Sequence, residues 1–339
     1  MSLPTSWGTG ARARFGLRLC ALALGLAVSP LGPSAMAEQQ VRVAVLKFGT
    51  VSWELDTVRH HGLDRAEGFD LQVVELAGTQ ATLVALQSTD VDMAVSDWLW
   101  VSRQRAQGKP FTFVPYSTAV GSLVVPAQSP IESLAQLPGK RVGIAGGPID
   151  KNWLLFRALV LQQGGTDLAD RVEPVFGAPP LLNEQLLQGR LDCVINYWPF
   201  VARLEAAGMR SLMSARDAAR QLGITSDVPM VGYVFNERWA SEHRGTVQGF
   251  LRAVTRARAL LADSDAEWDR LRPLMRAGDD KTFLALREGF RAGIPGPWSD
   301  AARADAVRLY AVLARLGGKD LVGDAQQLSE GTFWSETSD

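Results

Sequence analysis

VDMAVSDW (Val91–Trp98) begins like a buried strand and ends in a serine, an acid and a large aromatic. LDCVINYW (Leu191–Trp198) repeats the order later in the chain: apolar, Asp, three small or apolar residues, two polar positions, Trp. A strand ending this way carries polar and aromatic side chains to its carboxyl end. A chain that does so twice reads as two similar halves. Around the first copy stand VRVAVL (Val41–Leu46), an amphipathic stretch, GFDLQVVEL, ATLVALQ and FTFVPYS. The second copy follows SLVVPAQSP, LPGKRVGIAGG, NWLLFRALVLQQGG, RVEPVFG and LLNEQLLQG. Strand patterns alternating with helical ones at short spacing predict βαβ units and, in each half, a mainly parallel sheet flanked by helices. The halves correspond at Arg42-Val43-Ala44-Val45 and Arg141-Val142-Gly143-Ile144, at Trp53 and Trp153, and at Ala77-Gly78-Thr79 and Ala178-Pro179-Pro180.

From about Asn236 the chain turns to long amphipathic helices, interrupted at Pro295 and Pro297. They are expected to pack back on the first half, with DVPMVGYVF (Asp227–Phe235) as the return strand. The fold class is then α/β and two-lobed. Lobe 1 is discontinuous, residues 38–124 and 230–339 with the C-terminal helices, and lobe 2 is 125–229. The chain is expected to cross between them near Leu123–Pro126 and near Pro229–Tyr233, a two-strand hinge suited to closure around a ligand.

Residues 1–37 contain Arg12, Arg14 and Arg18, no acid, an apolar run from Leu19 to Val28 and Ala35-Met36-Ala37 before Glu38. That reads as a cleavable secretory signal peptide, so the mature chain is expected in the periplasm. Beyond it remain 32 of the 35 basic side chains and all 36 acids, a balance that argues against nucleic acid as partner. Cys193 is the one cysteine left, which excludes an internal disulfide and marks a core thiol.

In an open parallel sheet, ligands bind outside the carboxyl ends of the strands. The side chains placed there are Phe48, Thr50 and Trp53; Gly78, Thr79 and Gln80; Ser96, Asp97 and Trp98; and Gly121 in the first half. In the second half they are Asp150, Asn152 and Trp153, then Asn196, Tyr197 and Trp198. Four of the ten tryptophans fall in this set, which suggests flat apolar walls with polar rims, the alternative being packing within each lobe. Asp97 must face the cleft or find a buried partner. Thr79 either caps its helix or helps the helix N-terminus hold a polar group. No G-x-S-x-G, H-E-x-x-H, C-x-x-C or nucleotide fingerprint is present, and no histidine falls near the strand ends. Binding without catalysis, cofactor or metal is the expectation.

SLVVPAQSPIESLAQLPGKRVGI (Ser122–Ile144) resembles the entry to the second lobe of periplasmic solute-binding proteins of ABC importers, in the nitrate, sulfonate, taurine and thiamine-pyrimidine group. ALQSTDVDMAVSD and LLQGRLDCVINYWPF are similar to its paired A-L-x-x-G-x-V-D elements. The resemblance implies a type II binding-protein fold, a monomer that clamps a small organic solute between its lobes, and docking to an inner-membrane permease. Ser88-Thr89-Asp90 departs from the family where a glycine turn is usual, and Ser96-Asp97-Trp98 puts an acid at the cleft. Lys47 and Lys151 would suit an oxyanion, whereas Asp97, Asp150 and the aromatics favour an amine or nitrogen heterocycle. The alternatives are an enzyme like the pyrimidine-precursor synthases of this fold, or a secreted binder of a hard cation through Asp97 and Asp150.

Overall fold

The computed structural model describes residues 39–335; the expected signal peptide lies outside the described residues. The first half comprises β1 (Gln39–Leu46), α1 (Val51–His60), α2 (Leu63–Ala66), β2 (Phe69–Leu76), α3 (Thr79–Gln87), β3 (Met93–Ser96), α4 (Trp98–Ala106) and β4 (Phe111–Ser117). The second comprises β5 (Ser122–Val125), β6 (Arg141–Ala145), α5 (Lys151–Gln162), β7 (Glu173–Gly177), α6 (Pro179–Leu187), β8 (Cys193–Asn196), α7 (Trp198–Ala206), β9 (Arg210–Ser214) and α8 (Ala215–Gln221). β10 (Val231–Asn236) returns to the first sheet, followed by α9 (Glu237–Glu242), α10 (Arg244–Asp263), α11 (Asp265–Met275), α12 (Asp280–Ala292) and α13 (Asp300–Val322).

Two five-stranded sheets result, β2-β1-β3-β10-β4 and β7-β6-β8-β5-β9. In each, four strands run one way and one, β10 or β5, runs against them. Helices cover both faces, so β6 and β8 bury nearly every side chain instead of alternating, and β1 buries the consecutive run Val43–Val45. Leu123–Val125 lies within β5 and Tyr233 within β10, so the crossovers fall instead at 118–121 and 222–230. The sequence pattern misplaces them because SLVV and VGYVF are short apolar runs that read equally well as linking segments or as strands within a sheet.

The doubled aspartate of the opening motif has a structural meaning. Asp92 accepts the Arg42 backbone N–H at 2.8 Å and the Arg42 guanidinium at 2.8 and 3.1 Å, and that guanidinium also reaches the Thr89 carbonyl. Asp192 accepts the Arg141 N–H at 2.8 Å, and the Arg141 guanidinium reaches the Arg190 carbonyl. In each lobe the motif's acid therefore fixes the register of the third strand against the first. The preceding turn also recurs: Thr89 and Gly189 both take positive φ, 64° and 68°.

The C-terminal helices do not serve one lobe alone. α13 places Leu309, Tyr310 and Leu313 in a core cluster holding Trp98 and Leu99 from the first half and Leu154, Phe156 and Leu159 from the second.

Candidate functional site

Asp97 and Lys151 meet across the crevice. Asp97 is the N-cap of α4: one carboxylate oxygen accepts the Trp100 N–H at 2.9 Å, and the other accepts from Lys151 Nζ at 2.7 Å. Lys151 opens α5 in the second lobe, so this ion pair joins the two halves. Burial alone would lower the Lys151 pKa, but Asp97 and Asp150 hold it above the usual lysine value. Asp150 caps α5 through the N–H groups of Asn152 and Trp153, at 3.0 and 3.2 Å, and burial pushes its carboxyl up. The Tyr197 hydroxyl hydrogen-bonds to Asp150, and burial followed by the charges of Asp150 and Asp97 pushes its pKa well up. Asp97, Asp150, Lys151 and Tyr197 are thus one electrostatic cluster, with charges of both signs. Among the described residues no three His, Cys, Asp or Glu side chains gather as a metal site. A cavity of about 30 Å³ beside the crossovers, lined by Thr118, Val120, Leu155, Arg216, Ile224 and Met230, has room for about one water.

A family model described as NMT1/THI5 like matches residues 59–267. The chain belongs to the NMT1/THI5-like family. Solved structures similar to this NMT1/THI5-like protein include the alkanesulfonate-binding protein SsuA of Xanthomonas axonopodis pv. citri bound to MOPS. It is 18% identical with a TM-score of 0.66, and the match covers 87% of this chain and 98% of that one. The periplasmic aliphatic sulphonate-binding protein SsuA of Escherichia coli is 18% identical with a TM-score of 0.67, covering 88% and 94%. The desulfurization enzyme DSZB is 17% identical with a TM-score of 0.56, covering 87% and 97%. At these identities the likeness is one of fold, the type II periplasmic binding-protein fold. No curated protein gives a match.

In the NMT1/THI5-like chain the tryptophans do not form the flat cleft walls expected of them. Trp98 is fully buried, donates its indole N–H to the Pro229 carbonyl at 2.9 Å, and packs on Tyr310 and Phe333. Trp153 is a core residue of lobe 2 with the Arg157 guanidinium over its ring. Trp53 packs among Trp268, Phe290 and Trp198. Several polar candidates are framework as well. The Gly121 N–H goes to Asn152 Oδ1 at 3.0 Å, and a Cβ on Gly121 would lie 2.1 Å from the Asn196 carbonyl oxygen. Asn196, fully buried, donates to the Pro179 carbonyl and Asn183 Oδ1 and accepts the Tyr197 N–H, which ties β8 to α6. The Thr50 hydroxyl is buried 3.3 Å from the Tyr116 hydroxyl.

The accessible candidates are Phe48, which is 64% exposed, and Thr79 and Gln80, with Gly78 half-buried at an α3 N-terminus that has no side-chain cap. The Arg276 guanidinium lies 4.7 Å from the Phe48 ring centre. Ser96 is buried with a hydroxyl that has no hydrogen-bond partner. Lys151, which the sequence offered as a group for an oxyanion, is instead paired with Asp97, a partnership the sequence did not reveal because it depends on the second lobe being folded against the first. Cys193 is fully buried and burial pushes its thiol up to about 12, far from a thiolate nucleophile.

Proposed function

We propose that this chain is the periplasmic substrate-binding component of an ABC importer, capturing a small organic solute between its lobes and delivering it to a membrane permease. The observation that carries the reading is the Asp97–Lys151 pair, which joins the carboxyl end of one mainly parallel sheet to that of another with the same strand order. Supporting it are the family and the sulfonate-binding proteins that share the fold. Residues 1–37 export the chain, lobe 1 is 38–121 with 230–339, lobe 2 begins at β5 rather than at the expected 125 and runs to 229, and the protein acts as a monomer. No described helix is long and apolar enough to cross a membrane.

Phe48, Gly78, Thr79, Gln80, Ser96, Asp97 and Tyr197 contact the solute; Thr50, Gly121, Asp150, Asn152 and Asn196 hold the frame. Asp97 has both oxygens engaged, so it is not the open anchor for an amine that its place in the sequence suggested. A solute that displaces either partner must replace the charge it removes, because a half-buried charge left alone is costly.

Thermal unfolding of the purified protein against amines, pyrimidines, sulfonates, carboxylates, nitrate and divalent metals tests the reading. A ligand at about a hundred times its Kd should add about 2.7 kcal/mol and raise the midpoint by a few degrees. Failure of every solute class to stabilise, or turnover of the one that does, rejects it.

A further inference from the structure

α7 belongs to both lobes. Its Val201 and Leu204 sit in the lobe 2 cluster with Leu182 and Leu186. Its Ala202, by contrast, is buried in the cluster built on β1, α1, α10, α11 and α12, and Trp198, one turn earlier, packs against the same cluster. Residues four apart share a helix face, so α7 turns one face to each half. Trp198 meets Trp53 edge to face, with ring centres 6.2 Å apart and planes at 85°. On α12, a Cβ added to Gly289 would lie 2.8 and 2.9 Å from two Trp198 ring carbons, so the indole fills a socket that exists because position 289 has no side chain.

A second contact lies one turn further along α7. Arg203 donates to the Met275 carbonyl at 2.8 Å and the Arg276 carbonyl at 3.1 Å. α11 ends there in a left-handed Arg276, φ 52°, and the last carbonyls of a helix have no partner within it. A guanidinium supplied by the other lobe satisfies them and sits favourably at the negative end of the helix dipole. Burial lowers the Arg203 pKa, and no carboxylate pairs with it among the described residues, so these carbonyls are its compensation. Neither Trp198 nor Arg203 lies in the charged cluster of the crevice.

We infer that α7 is a latch, in which Trp198 in its Gly289 socket and Arg203 on the α11 terminus hold the two lobes together through the chain's own contacts, with no solute required. The latch rests on this packing. Its consequence, that a solute must compete with it to open the crevice, rests on the transport reading. Small-angle scattering of purified protein without added solute separates the two, because it reports the lobes and not the ligand.

Alanine at a helical glycine ordinarily favours the helix, so Gly289→Ala strengthens α12 while its methyl group evicts the Trp198 ring. We expect Gly289→Ala and Trp198→Ala each to increase the radius of gyration. The double variant should match Trp198→Ala alone, since without the indole the methyl has nothing to strike. Gly245→Ala, where an added Cβ meets nothing within 4 Å, should match wild type. Arg203→Gln, which empties no core volume, should also expand the molecule and serves if Gly289→Ala fails to fold. A radius unchanged in Trp198→Ala and Arg203→Gln, or a wild type already as extended as the variants, overturns the latch whatever the solute proves to be.

Discussion

At position 89 a threonine occupies the backbone conformation that Gly189 occupies in the corresponding turn of the other lobe. Left-handed geometry suits glycine and crowds a β-branched side chain, at a cost of about 1–2 kcal/mol. The Thr89 hydroxyl, donating to the Ser88 carbonyl at 2.6 Å, recovers part of that. Thr89→Gly should therefore stabilise by about 1 kcal/mol, and Gly189→Thr should destabilise by about 1–2 kcal/mol. Urea midpoints of the two variants check this, and equal losses in both would mean that Thr89 is held by contacts the turn geometry does not reveal. The turns and their matched strands were legible in the sequence because they rest on local pattern. The tryptophans were not: Trp98 follows a strand end in sequence, but α13, more than two hundred residues later, closes over it. Burial of a helix-start aromatic is decided by whichever element arrives from afar.

Among the elements, α11 is fastened to α1 by one carboxylate. Glu267 accepts from the Thr57 hydroxyl at 2.8 Å, lies 3.0 Å from His61 Nε2 and pairs with Arg270 at 2.7 Å. Its burial would raise its pKa, yet hydrogen bonds from Arg270, His61 and Thr57 hold it at about 2, below the ordinary 4.5. A carboxyl held low in the folded state contributes stability above its unfolded pKa and loses it as the pH falls through the folded one. The stability gap between wild type and Glu267→Gln should thus be level from neutral pH down to about 4.5, then narrow and close near pH 2. Denaturant unfolding across that range measures it, and a gap that stays constant into acid would refute the assignment. The periodicity of α10 to α13 was plain in the sequence, since each shows an amphipathic face. Their assignment to the first half alone was too simple, because α13 also packs on α5. An apolar stripe records that a face is covered, not what covers it. β9 and α8 were missed because RSLMS and ARDAARQ are short and weakly patterned.

The molecule as a whole should unfold as one unit, because one core cluster contains Trp98 and Leu99, Leu154 and Phe156, and Leu309 and Leu313. Leu313 is fully buried there. Leu313→Ala should cost about 2–5 kcal/mol and still leave a single transition, seen at the same urea midpoint by far-ultraviolet dichroism and by tryptophan fluorescence. Wild-type unfolding in two separate steps would mean that α13 does not couple the halves.

Cys193 is the only cysteine beyond residue 37, and it is sealed within β8 with its thiol held protonated at neutral pH. Once residues 1–37, which carry Cys20, are removed, a maleimide dye therefore finds no native target in the folded chain. A cysteine introduced at Thr79 on the crevice rim would be the one group labelled, so a single fluorophore could report solute capture with no need to engineer away a background thiol.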